Sequence, residues 1–548
     1  MVTRREFHKG LLGLALTSLA APRAMANFGV NPSNVYLNRL TYGSTAESLA
    51  EFERLGLDGW LENQLALPES DPALEARIAA ARLFIGYEAG ESDSGAQWDE
   101  LEEMRHLTAL NAPAAEMVKF MDYDLPFDFA ERERPGNEVI AASYIRVTHA
   151  QAQLREVMTQ FWHNHFNADA LKDVETSVFF PEYDRIMRRH ALGNFRAMLG
   201  EVAQAPTMLY YLNNASSRAS PANENYAREL LELHTMGAAN YLNDLYDNWH
   251  DVPGADEGLA VGYIDQDVYE VARAFSGWSV GDGDWLDDGS DKPTTGAFYY
   301  ATLWHDPYQK RILGVEFDAH AAPMSDGNKV LDILAAHAAT ARFVSEKIIR
   351  RLGLETPSDT LKARIAEVFT RAVHDEDQIA QVVRAIVLSE EFATTAPSKL
   401  RTPFEFLIAL YRATGTQVVE PQEDLYWQLE RTGWTQHRVG SPTGHSDHSE
   451  DWANTRALNG MVDFALYAHD NELEGIKFSH KVAVKTWGEY GAHWARALQA
   501  PPDLVKSFLK GMEVSHDEAL PFDDDGYLIW GANNAIALAA LTPEFMFR

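Results

Sequence analysis

Two stretches of the chain place ionisable and ligand-capable side chains among large apolar ones. Residues 161–166 read Phe-Trp-His-Asn-His-Phe, and residues 223–234 read Asn-Glu-Asn-Tyr-Ala-Arg-Glu-Leu-Leu-Glu-Leu-His. Neither a surface helix nor a core helix needs this mixture, because charged side chains are rarely buried unless they are paired. The two stretches therefore indicate a site, and their residue types suit metal binding, acid–base chemistry or a buried structural network.

The candidate site residues divide into two sets. Four side chains are candidate ligands of a divalent metal ion: His163, His165, Glu229 and His234. Three are candidate catalytic groups, acting as a further ligand, a general base or a charged partner: Glu232, Asp267 and Arg228. Because the chain has no cysteine, any metal must be held by nitrogen and oxygen atoms, and a metal-bound water would be the attacking group.

Helical geometry limits how these side chains can meet. On a continuous α-helix, His234 lies about 140° from Glu229, and His163 lies about 200° from His165. A single metal could hold both His234 and Glu229 only if the last turn unwinds near Gly237. Likewise, either the helix ends near His165 or the two imidazoles of the first stretch serve different neighbours.

Each candidate also has a structural interpretation. A buried histidine bonded to a carboxylate or a carbonyl is common in large helical proteins. Arg228 and Glu232 are spaced for an ordinary intrahelical ion pair, and Asp267 stands where an acid favours a helix N-terminus. His445 and His448 lie in a stretch, 438–451, whose composition is that of a flexible loop, and we expect them to be solvated.

Apolar residues recur at three- and four-residue spacing through most of the chain, which predicts a mainly α fold. Helices are expected over 37–67, 71–83, 98–121, 138–165, 183–199, 221–236, 265–275, 328–352, 358–374 and 377–388. Ser220 is the expected N-cap before Pro221. Strand signals over 297–304 and 311–317 predict one short β-hairpin near 297–317. We expect a large multi-helix domain over 27–397 that carries the site, and a C-terminal helical section over 398–548 packed on it.

The N-terminus predicts export. Residues 1–26 combine Arg4-Arg5 of a twin-arginine pattern with a short apolar run over 11–21 and a small-residue cleavage site, Ala24-Met25-Ala26. His8 stands where leucine is commoner, so Sec-type export is the alternative. The mature protein is expected to be periplasmic or secreted. An apolar run this short cannot cross a bilayer, which takes about 20 residues, so we expect no stable membrane span.

Composition narrows the partners and the chemistry. A net charge of −34 at pH 7 argues against nucleic acid and anionic lipid as partners. It fits a solvated surface, a cationic partner or the binding of divalent cations. The absence of cysteine excludes Fe–S clusters, thiolate zinc sites and cysteine nucleophiles. The sequence has no phosphate-binding glycine loop, no dinucleotide fingerprint and no His-Glu-x-x-His motif.

A series of motifs in a fixed order resembles a bacterial family. The motifs occupy 161–167, 183–185 leading into 191–195, 208–212, 223–237, 267–278, 305–314, 338–343 and 399–406. The match extends from about Val35 to the final Pro543-Glu544-Phe545. In these motifs the chain is similar to the exported proteins catalogued as domain of unknown function 1800; Ala338 replaces a proline of the family pattern.

This resemblance implies little about activity. Members of the family are typically exported and are often encoded beside a protein of family 1501, itself similar to sulfatases and alkaline phosphatases. The resemblance thus implies a sulfatase-like periplasmic protein as a candidate partner, and it assigns no catalytic residues.

Three functions follow as hypotheses. The first is a periplasmic metal-dependent enzyme of hydrolytic or oxidative type. The second is a non-catalytic partner or maturation factor of the sulfatase-like protein, docking through its acidic surface. The third is a binder of envelope polysaccharide that uses tryptophans as stacking platforms. The tryptophans considered for that role are Trp278, Trp285, Trp304, Trp427 and Trp434.

Overall fold

The computed structural model describes residues 31–245, 248–467, 473–522 and 524–548. The expected signal peptide, residues 1–26, lies outside the described residues. Across the described ranges the chain forms 24 α-helices and five small sheets of two strands each. The prediction of a mainly α fold is therefore confirmed.

The helices and strands have the following bounds. Up to residue 235 the helices are α1 (Pro32–Leu40), α2 (Ala46–Ala66), α3 (Pro72–Ala80), α4 (Ala114–Met117), α5 (Phe129–His149), α6 (Gln153–His165), α7 (Val174–Arg189), α8 (Phe195–Gln204), α9 (Pro206–Tyr211) and α10 (Glu224–Glu229), which continues as a π-helix, Leu230–Thr235. Beyond it are α11 (Asp265–Phe275), α12 (Ser325–Ala336), α13 (Ala338–Arg351), α14 (Asp359–Arg371), α15 (Gln378–Val387), α16 (Glu390–Thr394), α17 (Pro403–Thr414), α18 (Glu423–Glu430), α19 (Ser449–Trp452), α20 (Thr455–Tyr467), α21 (Trp487–Ala497), α22 (Leu504–Met512), α23 (Asp525–Ala540) and α24 (Pro543–Met546). The strands are β1 (Arg82–Tyr87), β2 (Gly90–Glu91), β3 (Gln97–Trp98), β4 (Leu101–His106), β5 (Trp278–Asp282), β6 (Thr294–Tyr300), β7 (Lys310–Ile312), β8 (Val315–Phe317), β9 (Gln417–Val418) and β10 (Ile476–Lys477). Short 3-10 turns lie at Ala109–Asn111, Val118–Met121, Ala238–Asn240, Asn243–Leu245, Trp249–Asp251 and Thr302–Trp304.

The helices enclose a continuous apolar core. Helix α5 is buried along most of its length and packs against α7 on one side and α17 on another. Its Tyr144 is fully buried, stacked on Tyr426 and edge-on to Phe404. Full burial of one large apolar side chain contributes about 1.5–3 kcal/mol. The core thus includes side chains from both sides of residue 398, and the division of the chain at that residue stays a prediction.

Several expected helices are divided by side chains that cap their ends. The expected helix 138–165 stops at His149 and restarts at Gln153, because the Gln153 amide donates to the carbonyls of Val147 (3.1 Å) and Ala150 (3.0 Å). Those carbonyls have lost their helical partners and need a donor. The expected helix 328–352 is divided in the same way at His337, whose Nδ1 accepts the Ala339 N–H at 3.1 Å.

The expected helix over 98–121 is wrong for its first half. Residues 101–106 form β4, which pairs antiparallel with β1. Strand β1 buries Leu83 and Ile85 and exposes Phe84 between them, an alternation that has the period of a strand. Pairing with this strand overrides the weak helical spacing of 101–106.

The expected pairing of 297–304 with 311–317 is also wrong. Strand β6 pairs with β5, whose Trp278 and Val280 are fully buried, and β7 pairs with β8. The β7–β8 connection is the two-residue turn Leu313-Gly314, with φ values of 52° and 80°. Two positive φ angles are what a tight type I′ hairpin turn requires, so this pair closes locally.

The helix expected over 221–236 begins later and changes character. Asn223, not Ser220, is its N-cap, accepting the Asn225 N–H at 3.0 Å. From Leu230 the helix widens to a π-helix, in which the Thr235 hydroxyl donates to the Leu230 carbonyl five residues earlier at 2.6 Å. The helix therefore changes from α to π winding before it ends near Gly237, where φ is 88°.

Among the described residues, none of the helices combines the length and the apolar character needed to cross a membrane.

Candidate functional site

A cavity of about 280 Å³ lies where the C-terminal end of α6, helix α13 and the segment 434–448 meet. Its walls are rich in aromatic and polar side chains and include five histidines: His163, His165, His437, His445 and His448. The charged side chains at its walls are Lys347, Arg350, Arg351 and Asp447. Concave sites with a few convergent polar groups are where ligands bind most often.

Helix α6 brings the first two histidines to the cavity. Its Leu154, Met158 and Trp162 are fully buried, and the Trp162 indole N–H donates to the Ala191 carbonyl at 3.0 Å, which fixes the rotation of the helix. The helix ends at His165. His163 and His165 both line the cavity, and the imidazoles bond to different neighbours, one of the two outcomes that helical geometry allowed.

His163 belongs to a buried ion-pair network that joins three helices. Its Nε2–H donates to Asp184 Oδ1 at 3.0 Å. Asp184 Oδ2 also accepts Arg146 Nη1 at 2.8 Å and Arg188 Nε at 2.9 Å. Arg188 Nη1 reaches both oxygens of Glu156 at 2.9 Å. The carboxylate that orients His163 is therefore held by two arginines.

The electrostatics of this network fix the charge and the tautomer of His163. Burial alone would raise the pKa of Asp184, but Arg188, Arg146 and His163 hold that pKa well below its usual range. Burial lowers the pKa of His163 in spite of its bond to Asp184, so the imidazole is neutral at neutral pH. Because an ionised carboxylate only accepts hydrogen bonds, the proton lies on Nε2 and Nδ1 keeps its lone pair.

His437 faces His163 across 4.3 Å between ring centroids, and its tautomer is the opposite one. The Trp434 indole N–H, which can only donate, bonds to Gln436 Oε1 at 3.1 Å. The Gln436 amide nitrogen then donates to Gln160 Oε1 at 2.7 Å and to His437 Nε2 at 3.0 Å. His437 therefore carries its proton on Nδ1, and burial lowers its pKa well below the ordinary value.

The backbone of His437 has a conformation that non-glycine residues rarely adopt. Its φ is 55°, and its carbonyl accepts the Ala170 N–H at 2.8 Å. Left-handed backbone at a bulky residue is unfavourable and persists only where surrounding contacts impose it. Strain of this kind is concentrated at functional sites, which adds weight to the assignment of the cavity.

The segment 434–448 is held in place by hydrogen bonds to the motif 161–167. Asn164 donates to the His445 carbonyl at 2.8 Å and accepts the His445 N–H at 2.7 Å. The Asn167 amide donates to the carbonyls of Val439 and Ser441, both at 2.8 Å. The motif 161–167 thus alternates histidines that line the cavity with asparagines that hold its opposite wall.

The expectation that His445 and His448 are solvated is correct for only one of them. His448 is exposed, with 48% of its side chain accessible. His445 is stacked on Trp434 at 4.0 Å between ring centroids, and its Nε2 contacts the backbone of Thr435. Burial lowers the pKa of His445 to about 4. The flexible composition of the segment concealed these contacts.

His234 lies behind His165 rather than at the cavity wall. His165 Nε2 donates to the His234 carbonyl at 3.0 Å, and the two ring centroids are 6.4 Å apart. Within the described ranges, neither ring nitrogen of His234 has a hydrogen-bond partner, nor does His165 Nδ1. Burial, with Lys347 nearby, lowers the pKa of His234 to about 3.

The carboxylates of Glu229 in α10 and Glu232 in the π-helix do not line the cavity. Glu229 and Glu232 are partly exposed, and burial, followed by the charge of Glu232, raises the pKa of Glu229. Arg228 pairs with Asp265 at 3.2 Å and with Glu224 at 3.6 Å, so the expected pair with Glu232 is not the one that forms.

Asp267 is buried and caps α11. Its two oxygens accept the N–H groups of Ile264 at 3.0 Å and Leu313 at 2.7 Å. Burial raises its pKa to about 6, against the lowering effect of these two bonds. The structural interpretation of Asp267 at a helix N-terminus therefore agrees with its contacts.

In the part of the chain that the structure describes, no group of three or more histidine, aspartate or glutamate side chains is placed to hold a metal ion. The four candidate ligands divide between the cavity wall, the core behind it and an outer helix face. The four candidate ligands therefore do not form a common site, and the binding of a divalent metal ion stays a prediction.

Three residues of the candidate site were missed by the sequence reasoning: Lys347 and His437 at the cavity wall, and Asp184 behind His163. Asp184 lies in the motif 183–185, one of those that carry the family resemblance. It contacts a histidine of a different helix, and residue spacing along the sequence cannot predict such a pair. His437 immediately precedes the segment that was interpreted as a loop. Lys347 lies four residues after Phe343 of the motif 338–343, so it shares a helix face with that motif, which is the one available signal.

The tryptophans considered as stacking platforms have different environments. Trp278 and Trp304 are buried, and Trp434 belongs to the cavity. Trp285 and Trp427 are 63% and 59% exposed.

No curated protein and no solved structure matches the chain significantly. A family model does match, over residues 35–547, which is nearly the whole chain. The chain belongs to the family described as "Protein of unknown function (DUF1800)".

Proposed function

We propose that the chain is an exported enzyme that performs acid–base chemistry in the cavity, in its simplest form a hydrolysis, with His163 as the general base. The observation that carries the proposal is the 3.0 Å bond between His163 Nε2 and Asp184, which leaves Nδ1 of the same ring with its lone pair. A general base must be unprotonated at the working pH, and the lowered pKa of His163 meets that condition.

The reaction assigns one role to each group. Nδ1 of His163 takes a proton from a water molecule as the water oxygen bonds to the substrate, and the imidazolium then gives that proton to the leaving group as the scissile bond breaks. Asp184, kept ionised by Arg146 and Arg188, stabilises the imidazolium that results. The Nδ1–H of His437 donates a hydrogen bond to the oxygen on which negative charge develops. General base catalysis contributes roughly 10²- to 10⁴-fold, and one such donor contributes about 10²- to 10³-fold.

A hydrolysis screen with matched histidine variants tests the proposal. The substrates are nitrophenyl esters, sulfates, phosphates and glycosides, and the proteins are the wild type, His163→Gln and His448→Gln. His448 is the control because it is an exposed histidine at the rim of the same cavity. We expect His163→Gln to lose about 10²- to 10⁴-fold in rate while it stays folded, and His448→Gln to keep its rate. A folded His163→Gln protein with the wild-type rate would contradict the assignment.

A metal-dependent form of this chemistry remains a separate proposal, supported by the nitrogen and oxygen ligand types of the motifs at 161–166 and 223–234. Elemental analysis of mature protein purified without chelator or affinity metal tests it. Stoichiometric metal that is lost in His163→Gln would support it, and stoichiometric metal that is retained in this variant would contradict the ligand assignment.

Export and the sulfatase-like partner are likewise proposals. The pattern of residues 1–26 supports export, and the acidic composition supports docking to a complementary surface. Replacement of both Arg4 and Arg5 by lysine is expected to retain the protein in the cytoplasm, as measured by cell fractionation. Unchanged periplasmic recovery would favour Sec-type export. Copurification of a sulfatase-like protein with the exported chain is the corresponding test of the partner.

A further inference from the structure

Both arginines at the cavity wall already have anionic partners. Arg351 bonds to Glu405 at 2.8 Å and to the Tyr42 hydroxyl at 2.9 Å. Arg350 bonds to Glu346 at 2.9 Å. Neither guanidinium therefore needs a ligand to compensate its charge.

The charge of the cavity's one carboxylate, Asp447, is also neutralised, and the lysine that neutralises it is not Lys347. Asp447 Oδ1 accepts Lys399 Nζ at 2.6 Å, and the same ammonium donates to the carbonyls of Asp447 and Arg350 at 2.9 and 3.0 Å. Among the residues that the structure describes, no hydrogen bond or ion pair of Lys347 Nζ is found. Among the described residues, Lys347 is thus the cation of the cavity wall that has no hydrogen-bonded or ion-paired counter-ion.

The wall around Lys347 is mainly neutral and apolar; the charges that act on its ammonium are those of Asp447, which is already bonded to Lys399, and of Arg350. Its ammonium lies 5.2 Å from the centre of the Phe343 ring. His165 and His234, which its charge reaches, have pKa values lowered mainly by burial and are neutral. Burial lowers the pKa of Lys347 to about 8, so that most molecules still carry the charge at pH 7. Lys347 is only partly exposed, and a largely desolvated cation without a bonded partner is unfavourable, so that an anion at this position would relieve the cost.

We propose that Lys347 binds the anionic group of the substrate, which is a small organic monoanion, a carboxylate or a sulfate ester. At about 280 Å³ the cavity is at the small end of ligand sites, so the molecule is small. Phe343 and Phe161 supply apolar wall for its body, and His163, which lines the same cavity, would face the reacting bond. The placement of the reacting bond depends on the proposed function; the binding of the anion does not.

Thermal unfolding with two probe anions tests the assignment. Acetate and methyl sulfate are added separately to the wild type, Lys347→Met and Lys362→Met, with chloride at the same ionic strength as the reference. Lys362 is the control because it is a lysine on the outer surface, paired with Asp359 at 2.7 Å. At a hundredfold excess over Kd, an anion that binds only the folded state is expected to raise the Tm by about 2 °C.

We expect one or both anions to raise the Tm of the wild type and of Lys362→Met, and neither to raise that of Lys347→Met. Response to acetate alone assigns a carboxylate, and response to methyl sulfate alone assigns a sulfate ester. Without any added anion, Lys347→Met is expected to melt at or above the wild-type temperature, because it removes an uncompensated charge and keeps a similar volume. A lower Tm for this variant, an equal response in it, or no response in the wild type would each overturn the proposal.

The failure of this proposal and that of the proposed function are distinguishable. His163→Gln is expected to bind the anion as the wild type does, because Lys347 is unchanged. Binding that persists while the hydrolysis screen is negative for every substrate would refute the enzyme assignment alone.

Discussion

Replacement of Asp184 by asparagine is the sharpest test of the network behind His163. Asparagine has the size of aspartate and its carbonyl oxygen can still accept the His163 Nε2–H, so the change removes charge without creating a cavity. Arg188 keeps Glu156 as a partner. Arg146 loses Asp184, the only ion-pair partner found for it among the described residues.

The expected cost follows from the burial of the network. Removing one partner of a buried ion pair costs about 3–5 kcal/mol, because the other charge is left uncompensated. With an unfolding entropy of about 2.1 cal/mol/K per residue over 548 residues, each kcal/mol shifts the Tm by about 1 °C if the chain unfolds as one unit. Asp184→Asn is therefore expected to lower the Tm by about 3–5 °C at pH 7.

Asp332→Asn is the matched control. Asp332 pairs with Arg196 at 2.6 Å, but its side chain is 67% exposed. A pair that is exposed to this extent contributes about 0–1 kcal/mol, so its loss should shift the Tm by no more than about 1 °C. Both variants are measured by differential scanning fluorimetry and by urea unfolding.

The stability difference between the wild type and Asp184→Asn should depend on pH, because only the ionised carboxylate of Asp184 stabilises the network. Folded Asp184 has a lowered pKa, so its stabilising effect is present above the unfolded value of about 3.9 and is lost as the pH falls through the folded value. The gap between wild type and Asp184→Asn should therefore close in strong acid. If Asp184→Asn costs no more than Asp332→Asn at pH 7, the reasoning about the network is refuted.

Two further predictions concern the core behind the cavity and its outer wall. In the unfolded chain His234 binds a proton below about pH 6.5, whereas the folded imidazole stays neutral to about pH 3. Lowering the pH from 7 to 5 should therefore reduce the free energy of unfolding by about 2 kcal/mol through this residue. In urea unfolding, the stability of His234→Phe should fall less steeply over this pH range than that of the wild type, and an identical fall would contradict the assignment. Asn167→Ala removes two bonds to the segment 434–448, each worth about 0.5–1.5 kcal/mol, and should speed amide exchange there by about 5- to 150-fold while α6 is unchanged. Exposed Asn63→Ala is the control, and equal exchange in the two variants would show that the segment is held by other contacts.

The helices could be predicted because their apolar spacing is local information. The range 265–275 was predicted with its observed bounds, since Asp267 and the apolar positions after it mark both the start and the buried face. The divisions at Gln153 and His337 could not be predicted, because each depends on a side chain folding back onto backbone carbonyls or N–H groups. Strand β4 was missed because its partner β1, and not its own composition, makes it a strand.

The candidate site was predicted in part for a similar reason. His163 and His165 stand out because polar side chains interrupt a strongly apolar helix, and such a signal is visible in sequence. Glu229 and His234 gave the same signal, but their helix widens at Leu230 and turns the carboxylate and the imidazole to different environments. Asp184 and His437 reach His163 only through packing of separate elements, which spacing within one motif does not encode.

The state of the His163 ring is the most direct test of the account. Nitrogen NMR of protein labelled in its histidine rings, with His163→Gln used to assign the signal, reports which nitrogen carries the proton. The account predicts a neutral ring at pH 7 with the proton on Nε2 and a lone pair on Nδ1. A ring protonated on Nδ1, or a doubly protonated imidazolium at pH 7, would contradict the assignment of His163 as the general base.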